Sequence, residues 1–153
     1  NLEKANLRRA NLHNANLSGA NLKGANLIGA DLGEANLEGA NLEGANLNQT
    51  SIYNANLINT NLEGARLWGS YLDSSNLQGA NLRGANLTKA NLKKANLFEA
   101  NLEGASFFDS NLYEACMRGA TYNSKTELVL NPPFSSNINQ TQLDSMIFVE
   151  EEE

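Results

Sequence analysis

Ala20-Asn21-Leu22-Lys23-Gly24 is followed at once by Ala25-Asn26-Leu27-Ile28-Gly29, and this five-residue phrase, A-N-L-x-x, runs without insertion or deletion from Asn1 to Ser124. A period of five fits neither common secondary structure. In an α-helix five residues turn through about 500°, so successive leucines would drift around the whole surface. In a flat strand an odd spacing sends alternate leucines to opposite faces. Only a chain that bends at one fixed place in every phrase keeps all the leucines on one side.

The column built on Leu2, Leu7 and Leu12 is leucine at 21 of 25 positions, the others being Ile52, Phe107, Met117 and Tyr122. Two residues earlier, the column from Ala5 to Ala120 holds only Ala, Ser or Thr. A position that takes Leu and one restricted to small residues, two apart, face the same crowded interior. The other three positions vary freely among charged, polar, glycine and aromatic residues and therefore face water.

In these columns the chain resembles the pentapeptide-repeat family, whose phrase is A-(D/N)-L-x-x, over about four-fifths of its length. The resemblance implies an all-β fold: a right-handed quadrilateral parallel β-helix, or β-solenoid, with four phrases per coil. About six coils then form a rod about 29 Å long at a strand spacing of ~4.8 Å. A single coil cannot seal its own leucines, so stability arises from stacking. The expected organisation is a repeat body over residues 1–124 and a C-terminal capping segment over residues 125–153 with an acidic, disordered end.

If coils close every twenty residues, the corner columns can be read directly. Two are rich in glycine: Gly24, Gly44, Gly64, Gly84 and Gly104, and Gly19, Gly39, Gly79 and Gly119. Glycine third in a four-residue turn favours type II geometry, with φ > 0. The columns containing Arg9, Gln49 and Lys89, and Asn14, Glu34 and Lys94, predict a mixture of turn types. In the tail, Thr126 to Leu130 predicts a strand that Pro132-Pro133 breaks. Thr141 with Asp144 resembles a helix cap, and Leu143, Met146 and Ile147 follow at helical spacing as a short lid. Glu150 to Glu153 are expected to be solvated. The N-terminal coil has no visible lid, which makes it a candidate surface for self-association. The start at Asn1, in mid-phrase and without Met, predicts further sequence upstream.

Residues 1–124 hold ten basic against eleven acidic residues, while the remainder sets Lys125 against six acids, so the net charge of −6 sits mainly in the tail. A nearly neutral body disfavours nucleic acid as a partner. Cys116 is the only cysteine, which excludes an internal disulfide and a thiolate metal cluster. No apolar run is long enough to span a membrane. The compartment stays open between the cytoplasm and, were a signal peptide removed, the thylakoid lumen or periplasm; cyanobacterial members of the family occur in both kinds of site.

Chemistry-bearing residues are sparse. His13 has no organised Ser or Cys partner for a triad. Glu43 and Glu63 share a column with Lys23 and Arg83, which reads as a charge-balanced face and not as a carboxylate pair. Cys116 has no basic neighbour. Asn16-Leu17-Ser18, Asn86-Leu87-Thr88 and Asn139-Gln140-Thr141 match a glycosylation sequon, the first two as products of the repeat itself. The Asn column is expected to bond nearby backbone or the next Asn along the stack. Residues 50–75 depart most from the phrase: Thr50, Thr60, Ser70 and Ser75 replace Ala, while Arg66 and Tyr71 replace Asn. Arg66 and Trp68 share one face, Tyr71 lies round the corner, and Tyr53 stacks one coil from Asp73. These residue types are enriched in interface hot spots, so Tyr53, Arg66, Trp68 and Tyr71 are the candidate interaction patch.

The sequence thus points to a non-enzymatic scaffold or protein-interaction module with an unidentified protein partner and no cofactor. The alternative that the resemblance implies is a DNA-mimicking modulator of DNA gyrase, for which a body at net −1 lacks the charge density of a duplex. Ice binding would need a threonine array that these columns do not supply.

Overall fold

The computed structural model describes residues 1–128, 138 and 140–150. Val129, Leu130, Pro132, Pro133, Asn139 and Glu151 to Glu153, to which the sequence assigns a strand end, a break, a sequon and a solvated terminus, lie outside the described residues.

From Asn6 each phrase makes a parallel bridge, and every bridge from Asn6↔Asn26 to Asn101↔Thr121 joins residues twenty apart. A layer is therefore twenty residues, or four phrases, with layer one spanning residues 1–20. Three backbone hydrogen bonds per phrase tie neighbouring layers. Leu22 N–H donates to Asn41 O at 2.7 Å, Gly24 N–H to Glu43 O at 2.8 Å, and Asn41 N–H back to Ala20 O at 2.9 Å. The leucine and alanine columns point inward, where Leu22, Ala25 and Leu27 are each 0 % exposed. Each buried leucine contributes about 1.5–3 kcal/mol. Layer one differs, since Leu2, Leu7, Leu12 and Leu17 are only partly buried. Where Ala is replaced, the added hydroxyl finds a carbonyl: Thr50 Oγ1 donates to Leu27 O and Thr60 Oγ1 to Leu37 O, both at 2.8 Å. Ser70 and Ser75 bond the carbonyls of Leu67 and Leu72 in their own turns.

The corners correct the expected mixture of turns. In every phrase from Leu2 to Ala120 the small residue's N–H donates to the leucine carbonyl three residues earlier. The residue third in each turn has positive φ whether or not it is glycine, from Lys4 at 54° to Gly119 at 72°. Thirteen of these corner residues carry side chains, Glu34, Gln49 and Lys89 among them. The type II signature is uniform because each corner N–H must reach the layer beyond, as Gln49 N–H does with Trp68 O at 2.9 Å. Stacking overrides residue preference.

Among the described residues the period breaks once. After Asn101↔Thr121 the next bridge is Ser106↔Glu127, which is twenty-one residues long. Gly104 N–H has no corner carbonyl to meet and bonds instead to Asn123 Oδ1 at 3.0 Å and Thr126 Oγ1 at 3.1 Å. Beyond the break lies the cap. Strand β1 (Thr121–Tyr122) pairs in parallel with β2 (Ile147–Phe148), and α1 (Gln140–Asp144) precedes β2. Gln142 Nε2 donates to Leu112 O at 3.3 Å and Ala115 O at 2.7 Å. Met146 is 9 % exposed and joins the core, with Leu143 packed against it. Two tail expectations need correction. Thr141 lies inside α1 and does not precede it. Ile147 is exposed on a strand, because its N–H pairs with Ala120 O at 2.8 Å. Among the described residues, no helix is long and apolar enough to cross a membrane.

Candidate interaction face

The Asn column does two jobs. Its side-chain oxygen accepts the N–H of the residue two further on, as from Asn61 to Glu63 at 3.2 Å, serving a donor that the layer-to-layer bonds leave out. Its amide nitrogen reaches the next Asn in the stack, as Asn81 Nδ2 does to Asn61 Oδ1 at 3.1 Å. Side chains of this column and of the following corner share a face: Asn21 Nδ2 meets Glu3 Oε2, and Asn56 Nδ2 meets Glu38 Oε2.

Arg66 and Trp68 occupy these two positions in layer four and are both exposed, Trp68 at 40 %. Arg66 offers no oxygen to Trp68 N–H, and Asn48 from layer three supplies it at 3.0 Å. Tyr71, 55 % exposed, lies on the next face between Ser51 and Asn91. Arg66, Trp68 and Tyr71 therefore flank one corner of one layer. Tyr53 is engaged elsewhere. It is half-buried, and its ring lies over Gly33 with its centroid 6.1 Å from that of His13. Gly33 is the glycine that does not need positive φ: a Cβ there would lie 2.5 Å from Tyr53 Cε1 and 3.0 Å from His13 Nδ1. His13 Nδ1 is itself buried, without a hydrogen-bond partner among the described residues, and 4.0 Å from Asp31 Oδ1.

Two further exposed aromatics, Phe108 at 53 % and Tyr113 at 46 %, belong to the same two faces as the patch. Phe108 stands in the Trp68 column; Tyr113 was missed by sequence reasoning, although its column holds Tyr53. Lys93 Nζ sits 5.7 Å from the Tyr113 ring centroid. A hydrogen bond with Glu114, and the charge of that carboxylate, hold the Tyr113 phenol above its ordinary pKa. On the opposite side Lys23 bonds Glu43 at 2.9 Å, and this partner raises the lysine's pKa. Cys116 is exposed and free. Among the described residues, no three His, Cys, Asp or Glu side chains converge as a metal site. A concavity of about 600 Å³ lies at the register break, lined by Arg83, Glu103, Asn123, Lys125 and Glu150. Its lining mixes both signs of charge.

The family model for pentapeptide repeats matches with eight copies, over residues 1–33, 30–69, 50–88, 69–104 and 85–121. No curated protein matches the sequence. Among solved structures, HetL, a pentapeptide repeat protein involved in heterocyst differentiation regulation from the cyanobacterium Nostoc sp. strain PCC 7120, is 30 % identical with TM-score 0.55, the match covering 81 % of this chain and 70 % of that one. A pentapeptide repeat protein from the Arabidopsis thaliana thylakoid lumen is also 30 % identical, with TM-score 0.62, over 65 % of this chain and 69 % of that one. QnrB1, a plasmid-mediated fluoroquinolone resistance protein, is 23 % identical with TM-score 0.65, over 80 % of this chain and 64 % of that one, a likeness of fold alone.

Proposed function

The chain belongs to the pentapeptide-repeat family, and from that membership we propose that it is a non-enzymatic scaffold presenting a protein-binding face. Its body over residues 1–124 is read as a right-handed quadrilateral β-helix closed by a cap over residues 125–153. The reading rests on one contrast. The interior is filled by leucine at 0–1 % exposure from Leu22 to Leu102, which leaves no chamber for a substrate. Outside, Arg66, Trp68 and Tyr71 project from a single corner, and aromatic and arginine side chains of this kind anchor interfaces. A protein partner is the ligand such a surface fits.

The experiment is partner capture with the wild-type chain and a Trp68→Ala, Tyr71→Ala variant, whose exposed positions leave the fold intact. Loss of specific partners from the variant supports the patch; identical partner sets dismiss it. The DNA-mimic reading has less support here, because the body carries ten basic against eleven acidic residues.

A further inference from the structure

We propose that the face carrying Tyr71 is a self-association surface, closing a weak antiparallel dimer about a twofold axis that lies between layers four and five. On this face layer four offers Tyr71 and Asp73, and layer five offers Lys89 and Lys93. Layer three contributes Gln49 and Tyr53, and layer six contributes Asp109 and Tyr113. Among the described residues, neither Asp73 nor Lys93 has an ion-pair partner in its own chain. Among the described residues the Asp73 carboxylate accepts only the Asn91 amide at 3.3 Å, and Lys93 leans the other way, toward the Tyr113 ring. Two opposite charges in adjacent layers thus stand unpaired at the edge of a face bearing two exposed tyrosines.

A twofold axis parallel to the strands sets each column against itself with the order of layers reversed. Placed between layers four and five, it brings Asp73 opposite Lys93 of the partner subunit, and Lys93 opposite the partner's Asp73. The same operation sets Tyr71 opposite Asn91 of the partner subunit and Gln49 opposite the partner's Asp109. Gly69, without a side chain, leaves room for Lys89 of the partner subunit. Other registers leave Asp73 and Lys93 unpaired. An axis between layers three and four joins six layers without like charges and sets Arg9 opposite the partner's Asp109. It nonetheless leaves Asp73 opposite the partner's Tyr53 and Lys93 opposite the partner's Gly33. An axis through layer five sets its lysines against themselves, and one through layer four sets Asp73 against itself. An axis between layers five and six avoids like charges but pairs two regular layers instead of four, since the period breaks after Tyr122. Pairing the two unpaired charges, Asp73 and Lys93, therefore favours a second copy of this chain in one register.

Four layers at ~4.8 Å give about 19 Å of contact along the rod. That is small beside the roughly 800 Å² per partner of a standard interface, so the dimer should be weak and exchange rapidly. The surface shares Tyr71 with the patch proposed above. Charge variants at Asp73 and Lys93 leave Arg66 and Trp68 in place, so partner capture and self-association fail separately.

The test is sedimentation velocity of the full chain from micromolar to millimolar concentration, beside Asp73→Lys, Lys93→Asp and an equimolar mixture of these two variants. Wild type should rise from the monomer mass of 16.5 kDa toward twice that value. Each single variant, now facing like charges across the axis, should weaken association at least about tenfold. The mixture should regain it, because every facing pair is again of opposite sign, and added salt should reduce the regain. A wild type that stays monomeric throughout overturns the inference. So do single variants that associate as wild type does, or a mixture no better than its components.

Discussion

Asn48 Oδ1 accepts a 3.0 Å hydrogen bond from Trp68 N–H, one layer away, where the regular phrase would use the Asn two residues before the donor. The bond marks how the stack absorbs Arg66. Asn48→Ala should cost about 0.5–1.5 kcal/mol, since it removes one exposed hydrogen bond. In the Arg66→Asn background the same change should cost close to nothing, because the local acceptor is restored. A double-mutant cycle on urea denaturation measures the difference; additive effects would contradict the compensation.

Lys89 holds φ of 58° with a side chain that favours the right-handed region. Lys89→Gly should stabilise the protein by about 0.5–1 kcal/mol, the relief of left-handed strain being partly offset by the freedom glycine has when unfolded. Thermal unfolding should show a rise of about 1–4 °C for a chain of this size. A fall would mean that the corner is unstrained.

Gly33 is where the rings of His13 and Tyr53, from layers one and three, come together across layer two. Gly33→Ala should drive Tyr53 outward, because the new methyl would meet its ring at 2.5 Å. The expected cost is about 1 kcal/mol, limited by the freedom of a surface ring to swing away. The nuclear Overhauser contact between the His13 and Tyr53 rings should vanish. Its survival would refute the steric account.

Met146 fills the core end beneath α1 at 9 % exposure. Met146→Ala should cost about 2–3 kcal/mol. In a stacked array each layer contacts only its neighbours, so the damage should stay local. Hydrogen exchange should quicken for cap amides such as Gly119 and Ile147 while Leu42 and Leu47 keep their protection. Uniform loss of protection would contradict that picture.

Much of this fold was legible in the sequence. Leu22 and Leu42 each follow Ala-Asn, so the inward columns follow from the period of five, whereas the twenty-residue layer was what the family resemblance implied. Arg66, Trp68 and Tyr71 stand out for the same reason: a break in a regular pattern is visible on the page. Tyr53 shows the limit. Its column put it beneath Asp73, but which way the ring leans depends on the empty space above Gly33 and on His13, twenty and forty residues earlier.

The amino-acid order alone decided what repeats, because a period of five with one large and one small apolar residue permits only a bent chain with both inside. The stack decided the rest. Lys89 and Gly69 share one corner geometry since each corner N–H must meet the layer beyond, whatever its side chain. The chain slips by one residue between Tyr122 and Glu127 because Asn123 and Thr126 take over the bonds of Gly104. These outcomes are set by neighbours a full layer away, and a local phrase holds no information about them.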